Sequence, residues 1–473
     1  MTNISLILAV FLIIIAGFII YSNSFHNQFV FDDMQLVVNN SIIRSLGNIP
    51  GAFNHDLNYF TDEKEGKFYR PIQTLTYMID YRFSGLNSLG YHITNTILHI
   101  LVCILLFYVI SIITADSLLS FLATLLYLVH PVHAEAVTYI SGRADSLCSI
   151  FLLLMLIFQF KYWNAKNKFG RLIYYLVIMA SFALALLSKE LAAMFPLLLM
   201  FTEYCLRGKE KYEGILNKRI FFYIPLIILL IIWFWLKNAI VPTEAMVIDP
   251  NALKLSTNLK VVPKVIFDYI KISFLPLNMH MEYQFPFPQS LFQKEYFGPF
   301  IFILFFIPLI YFAWKKGKYD GNYRIMFFGL GWFIIALLPY LNIFFHLNAV
   351  FSEHWLYIPE MGLIIFMVSL LFYISRKREA YKKAVVLLCL IAAIIFSCLT
   401  IRQNMVWKDK FTFYSYTLKY APYSAKIYNN LAVEYINKKD ITKAKELLEK
   451  AVEVDPNYSI AAENLQHLKR ESL

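Results

Sequence analysis

Residues 1–33 read MTNISLILAVFLIIIAGFIIYSNSFHNQFVFDD, and this stretch decides the class of the protein. From Met1 to Tyr21 the segment is almost without polar residues except Thr2, Asn3 and Ser5. A helix of about 20 apolar residues matches the ~30 Å hydrocarbon core of a bilayer, so this is a first membrane span with its N-terminus in the cytoplasm. Phe31-Asp32-Asp33 is then delivered just beyond the far surface. Pro50, Gly51, Gly66 and Pro71 interrupt the polar segment after it, and no long apolar run resumes until about Tyr91. Adjacent acids have two readings: a solvated surface, or a general base at the membrane boundary.

The rest of the chain agrees with a membrane body. Of 473 residues, 59% are hydrophobic, 17% aromatic and only 16% charged, too few polar groups to cover a soluble protein of this length. The net charge of +11 does not point to nucleic acid, because the cations recur in short linkers between apolar runs. Lys161 to Arg171, Arg207 to Arg219, Lys315 to Arg324 and Arg376 to Lys383 hold 18 of the 43 Lys and Arg residues, the bias of loops kept in the cytoplasm. Cys103, Cys148, Cys205, Cys389 and Cys398 all fall in or beside apolar runs and show neither a disulfide framework nor zinc spacing. The first span lacks a convincing cleavage site and is read as uncleaved.

Spans are expected at Met1 to Tyr21, Ile93 to Ile113, Leu118 to Val129, Ser146 to Phe160, Leu172 to Leu187, Leu191 to Tyr204, Ile220 to Leu236, Pro299 to Trp314, Ile325 to Leu341, Trp355 to Tyr373 and Ala384 to Leu399. Leu118 to Val129 is short for a full crossing, and short or broken spans bring side chains into a cavity. Val261 to Leu277 is interrupted by Lys264, Asp268 and Lys271 and is read as interfacial, which keeps the basic linkers on one side. Phe285-Pro286-Phe287-Pro288 is a loop signal. The sequence therefore predicts an all-α polytopic membrane protein of about eleven transmembrane helices over residues 1–401, with residues 22–90 as the first extracytoplasmic loop. Residues 402–473 form a second, extracytoplasmic domain. Ala425, Tyr428, Leu431, Ala432, Tyr435, Ala444, Leu448, Ala451 and Pro456 take the places of one 34-residue tetratricopeptide unit, with partial helices before and after it.

This topology gathers ionisable groups in one outer layer: Asp32 and Asp33; Arg70; His130, His133 and Glu135; Arg143 and Asp145; Lys189 and Glu190; Glu353 and His354. Charge held there is costly unless paired, so such a layer points to function. Blander readings stand beside it. Arg143 serves equally as an anchor or a partner of Asp145, Lys189 as a partner of Glu190, and the histidines as helix-entry caps. His130, His133 and Glu135 also have a metal reading, although no fourth ligand can be named and the HExxH pattern is absent.

Phe31-Asp32-Asp33, Tyr69-Arg70-Pro71, the segment from His130 to Val137, Gly142 to Asp145, Lys189-Glu190 and Ser352 to Tyr357 resemble the transmembrane and tetratricopeptide repeat-containing O-mannosyltransferase-like proteins. These are multispan glycosyltransferases of the GT-C, protein O-mannosyltransferase type. The terminal repeat region here is much shorter than in the animal members. The resemblance implies transfer of a hexose, mannose or another, from a polyprenyl-phosphate sugar to a hydroxyl, with inversion. Asp32 or Asp33 is then the base, with Asp32 preferred; Arg70, Arg143, Lys189 and His354 face the donor phosphate, and His133, Glu135, Asp145, Glu190 and Glu353 complete the substrate site. No cofactor or metal is required, since the donor carries its own leaving group. The partners are membrane lipid, the lipid-linked donor, and a protein Ser/Thr or glycan acceptor docked by the repeat, in a prokaryotic plasma membrane. The alternatives are a transporter or flippase for a lipid-linked or small polar substrate, and a membrane-tethered scaffold.

Overall fold

The computed structural model describes residues 5–59, 61, 68–207, 216–241, 255–285, 290, 292–343, 347, 349–376 and 378–471. Asp62, Glu63, Glu65 and Gly66 of the first loop, residues 208–215 of one basic linker and Pro286, Phe287 and Pro288 lie outside them. The longer helices begin with α1 (Leu6–Tyr21), α2 (Pro71–Ser84), α3 (Ser88–Thr114), α4 (Ser117–Leu128), α5 (Ala144–Asn164) and α6 (Lys168–Leu186). They continue with α7 (Phe195–Leu206), α8 (Leu216–Ile240), α9 (Leu255–Phe274), α10 (Lys294–Gly317), α11 (Gly321–Leu337), α12 (Pro359–Ser375) and α13 (Glu379–Val406). The C-terminal region is α14 (Lys410–Tyr420), α15 (Ala425–Asn437), α16 (Ile441–Val454) and α17 (Ser459–Glu471).

Among the described residues, eight helices are long and apolar enough to cross a membrane. A ninth span arises if α4 and Pro131–Val137, bent by 51° from one another, count as one. This is fewer than the eleven the sequence predicts, and the shortfall has a physical cause. The span expected at Leu118 to Val129 is the 12-residue α4. The one at Leu191 to Tyr204 is a tight turn of helix at Glu190–Met194 running into the 12-residue α7. The one at Trp355 to Tyr373 is the 17-residue α12. At 1.5 Å per residue, a 12-residue helix reaches only about 18 Å of a ~30 Å core. The α9 segment, expected to be interfacial, is not among the candidate spans, and its Lys264 pairs with Asp268 at 2.8 Å.

Apolar sequence does not by itself say which helices are central; packing does. The span holding α5 has 89% of its most apolar window buried, against 17% for α13 and 11% for α10. The α5 helix therefore lies inside the bundle, while α10 and α13 turn most of their apolar surface outward, as lipid-facing helices do. Gln159 of α5, fully buried there, donates to the Leu199 carbonyl at 3.1 Å. α11 and α12 meet through Gly329 and Gly362. A Cβ at Gly329 would stand 2.6 Å from the Gly362 carbonyl oxygen, and one at Gly362 2.5 Å from that of Gly329. Only glycine lets two helix backbones approach this closely.

The terminal helices pair as the repeat predicts. Ser424 and Asp440 cap α15 and α16, accepting from Ile427 N at 3.4 Å and Lys443 N at 3.0 Å. Ala432, Ala444 and Ala451 are buried where α15 and α16 touch, with Leu431, Leu447 and Leu448 filling the space beside them. This small core is continuous with the membrane body, because Val30, Tyr139, Val406 and Trp407 belong to it. Helix α13 runs to Val406, through the boundary expected at residue 402.

Candidate active site

The two adjacent carboxylates at the start of the first loop have opposite environments. Asp33 is fully buried. Its Oδ2 accepts from Val30 N at 3.1 Å, and its Oδ1 accepts from Ser141 N at 2.8 Å and from Ser141 Oγ at 2.5 Å. Burial pushes its carboxyl up from 3.8 to about 7, with the Ser141 hydrogen bonds pulling the other way. Asp32 is exposed, and its backbone N–H donates to Tyr139 Oη at 3.2 Å. Asp33 therefore fastens the loop to residues 139–141, and the Asp32 carboxylate is left at the surface.

Phe31 makes that division by adopting a left-handed backbone, φ 52°. For a residue with a Cβ this costs about 1 kcal/mol or more, and the surroundings hold it. The Phe31 ring lies 6.0 Å from that of Phe413 in α14, and Lys426 Nζ of α15 is 4.7 Å above it. Phe413 stacks on Trp407 at 4.6 Å, and Trp407 on Tyr139 at 4.8 Å. Gln28 N donates to the Lys408 carbonyl at 2.8 Å and Asn27 Nδ2 to that of Asn404 at 3.0 Å. The acidic loop is thus clamped between residues 139–141 and the end of the last span.

The remaining expected residues form ion pairs that cross between distant segments. Arg70, before α2, holds Glu190 through both sides of its guanidinium, Nε to Oε2 at 3.0 Å and Nη2 to Oε2 at 2.7 Å. Burial would raise the Glu190 carboxyl, but Arg70 overrides it and holds it below the usual range. Lys189 Nζ meets Asp145 Oδ1 at 2.5 Å, with both side chains nearly enclosed. Neighbours in sequence therefore pair with different partners: Lys189 does not pair with Glu190, nor Asp145 with Arg143. Arg143 is fully buried, bound to Asp80 Oδ2 at 2.6 Å and to Thr76 Oγ1 at 3.1 Å, with its guanidinium 4.4 Å from the Tyr77 ring. It braces α2 against the entry of α5 and has no exposed atom to offer a substrate. Gly142, just before it, is required: a Cβ there would lie 2.4 Å from the Glu135 carbonyl oxygen and 2.9 Å from Ala136 Cα.

Glu135 joins the histidine segment to residues 352–354. It accepts from His354 N at 3.0 Å, and its Oε1 lies 2.8 Å from His354 Nδ1 and 3.2 Å from Ser352 Oγ. The His354 side chain remains 28% exposed, so Glu135 orients an imidazole that reaches solvent. Glu353 points away, buried, and accepts from Tyr283 Oη at 2.5 Å. Burial, with the Glu135 charge nearby, pushes its carboxyl well above the usual range. His133 is fully buried, its ring 4.2 Å from Tyr127 and 4.9 Å from Tyr357. His130 Nε2 faces the Ser273 carbonyl at 2.9 Å. Among the described residues no group of three or more His, Cys, Asp or Glu is placed to hold a metal ion. Ser141, Tyr139, Asp80 and Tyr283 are not site residues in the sequence reading, and Ser352 enters it only as the first residue of the Ser352 to Tyr357 segment. Ser141 adjoins Gly142-Arg143, a local hint; Tyr139, Asp80 and Tyr283 are brought in by folding.

The arrangement is a polytopic body carrying an exposed acid, an oriented histidine and several enclosed ion pairs, with a tetratricopeptide region packed against the acidic loop. Residues 79–236 match the family model described as dolichyl-phosphate-mannose-protein mannosyltransferase, and residues 425–458 the tetratricopeptide repeat. Over 476 residues the chain is 26% identical to the protein O-mannosyl-transferase TMTC3 of Mus musculus, covering 92% of this chain and 50% of that protein. It is 26% identical to the protein O-mannosyl-transferase F38B6.6 of Caenorhabditis elegans, over 93% of this chain and 61% of the relative. A segment is 37% identical to TMTC1 of Mus musculus, covering 30% of this chain and 16% of that protein. The chain spans about half the length of the curated relatives it matches first. Among solved structures, that of ArnT from Cupriavidus metallidurans bound to undecaprenyl phosphate aligns with 88% of this chain and 80% of its own, at 12% identity and a TM-score of 0.49. The resemblance carried by the sequence motifs is borne out by these matches: the chain is similar over most of its length to TMTC-type protein O-mannosyl-transferases, and it carries a tetratricopeptide unit.

Proposed function

We propose that this protein is a membrane glycosyltransferase that transfers a hexose, mannose on the relatives' names, from a polyprenyl-phosphate sugar to an acceptor hydroxyl. The observation that carries the mechanism is the division between the two acids: Asp32 exposed, Asp33 buried and tied by three hydrogen bonds. Asp32 is the base. It takes the proton of the acceptor hydroxyl as that oxygen bonds to the anomeric carbon, and the bond from that carbon to the phosphate oxygen breaks, its electron pair leaving with polyprenyl phosphate. Attack from the face opposite the phosphate inverts the sugar. Positive charge near the departing phosphate stabilises it. His354 and Arg70, both partly exposed, are the groups suited to that task, and Lys189 acts through its pair with Asp145. Arg143 is assigned a positioning role.

The same reading extends to topology. The residues after α13 pack on the loop after α1, so the chain crosses an odd number of times. The shorter α7 and α12 run between the same two layers as their neighbours: Glu190, before α7, pairs with Arg70, whereas Glu203 near its end pairs with Arg207 of a basic linker. Counting both, with the bent pair as one, restores eleven passes, a cytoplasmic N-terminus and an outer repeat region facing the acceptor, a protein hydroxyl or an envelope glycan.

The test is reconstitution in liposomes with several polyprenyl-phosphate sugars and a panel of Ser/Thr peptides and glycans, followed by mass spectrometry of the product. We expect a covalent hexose adduct, lost by at least about 100-fold in Asp32→Asn with the melting temperature unchanged. Full turnover in that variant removes Asp32 as base; movement of the lipid-linked sugar without any adduct replaces the enzyme with a flippase.

A further inference from the structure

At the end of the bundle opposite the acidic loop lies a cleft of about 230 Å³, lined among others by Asn322, Ser369, Arg376, Arg378 and Lys382. Three connections meet there: that between α3 and α4, that before α11, and that between α12 and α13. The charge bias of the sequence places the last two on the cytoplasmic side, and the α3–α4 turn shares their cleft. None of the three cations joins a salt bridge among the described residues. Two acids also line the cleft. Asp116 caps α4 through Oδ1, which accepts from Leu118 N and Leu119 N at 3.0 Å each, and Glu379 lies in the first turn of α13. α13 begins with no side-chain cap, which leaves its positive end open toward the same region. Ser369, buried in the wall, has a hydroxyl without a hydrogen-bond partner. Cations, an uncapped helix start and a spare hydroxyl are together the recognition set for a phosphate oxyanion.

What distinguishes a lipid from a soluble phosphate is the apolar surface of α13 beyond the cleft. Leu387, Leu388, Ile391, Ile394 and Ile395 are exposed on the outward side of α13, around the helix from Lys382 and the buried Cys389, and begin within two turns of Lys382. From Lys382 to Ile395 the helix rises about 20 Å, enough to follow acyl chains through one leaflet of about 15 Å. We propose that this cleft binds the phosphodiester head of an anionic phospholipid of the cytoplasmic leaflet, its acyl chains lying along α13. The site is independent of the sugar-transfer reading and lies on the other side of the membrane.

The experiment is native mass spectrometry of the full chain released from detergent, titrated with phosphatidylglycerol, with phosphatidylcholine, and with glycerol phosphate as a soluble competitor. We expect retained phosphatidylglycerol, little phosphatidylcholine, and no displacement by millimolar glycerol phosphate. Arg376→Gln with Lys382→Gln is expected to weaken the lipid about 30-fold, on roughly fivefold per cation. Lys168→Gln, an exposed cation in another basic linker, is expected to change nothing. Arg376→Lys, which keeps the charge, guards against a folding defect and is expected to retain the lipid. Equal binding by the double variant, equal binding of phosphatidylcholine, or ready displacement by glycerol phosphate each overturns the proposal.

Discussion

Replacing Asp33 with Asn tests the division of labour between the two acids, and its consequence is a pH dependence. In the folded protein the Asp33 carboxyl is raised from 3.8 to about 7 by burial. A group with a raised folded value contributes stability that is complete below its unfolded value and is lost as pH rises through the folded one. Between about pH 4 and pH 7 the unfolded chain gives up this proton while the folded chain keeps it, so stability falls across that window and levels off above it. At about 1.4 kcal/mol for each tenfold change in proton affinity, the full effect is about 4 kcal/mol. Asn keeps the shape and still accepts from Ser141 through its oxygen. Its amide, however, faces Val30 N, a donor against a donor, which forfeits a hydrogen bond of about 1 kcal/mol. The variant should therefore be the less stable form near pH 4 and gain on the wild type steadily up to pH 7. Melting temperatures of both proteins in one detergent, from pH 4 to pH 8, provide the difference curve, in which every other titrating group cancels. A flat difference across that window refutes the assignment of Asp33 as a buried anchor. Sugar transfer should persist in the variant, because Asp32 remains.

Lys189→Met leaves Asp145 enclosed without its partner and should destabilise by about 3–5 kcal/mol. Adding Asp145→Asn should recover much of the loss, and a double-mutant cycle of melting temperatures checks it. Gly142→Ala forces a methyl against the backbone of Glu135 and Ala136, which cannot move aside as a side chain can, and should cost at least about 1–3 kcal/mol. It should also lower turnover, since Glu135, against which the methyl presses, holds His354, and Ser141, just before Gly142, holds Asp33; a stable, fully active variant would count against the close approach. Trp407→Ala removes the middle ring of the Tyr139–Trp407–Phe413 stack and should cost about 3–5 kcal/mol. Because that stack clamps the acidic loop, kcat for sugar transfer should fall more than KM for the donor changes, as steady-state assays in liposomes would report.

Much of the architecture is legible in the chain alone, because a bilayer imposes simple requirements on it. Apolar length marks most of the spans, and the spacing from Ala425 to Pro456 marks the repeat. The lengths of the crossings are less secure in sequence, since the apolar runs at α4, α7 and α12 fold as helices of only 12, 12 and 17 residues. The outer layer of ionisable groups could be named from the order of the segments. Their partners could not. Lys189 and Glu190 are adjacent yet turn to Asp145 and Arg70, and Arg143 binds Asp80 across 63 positions rather than Asp145 two residues on. Pairing is settled by which helix ends meet in space, and a list of residue types carries no distances.

The same holds for Phe31-Asp32-Asp33. Hydrophobic length in the first segment is enough to stand two carboxylates just outside the membrane, and the order of residues carries that much unaided. Which of the two faces solvent is fixed by folding. The left-handed turn at Phe31, the clamp of Phe413 and Lys426 from the terminal region, and the donors of Val30 and Ser141 together bury one acid and expose its neighbour. Most of those contacts join segments more than a hundred residues apart, and the energy that orients the pair comes from them.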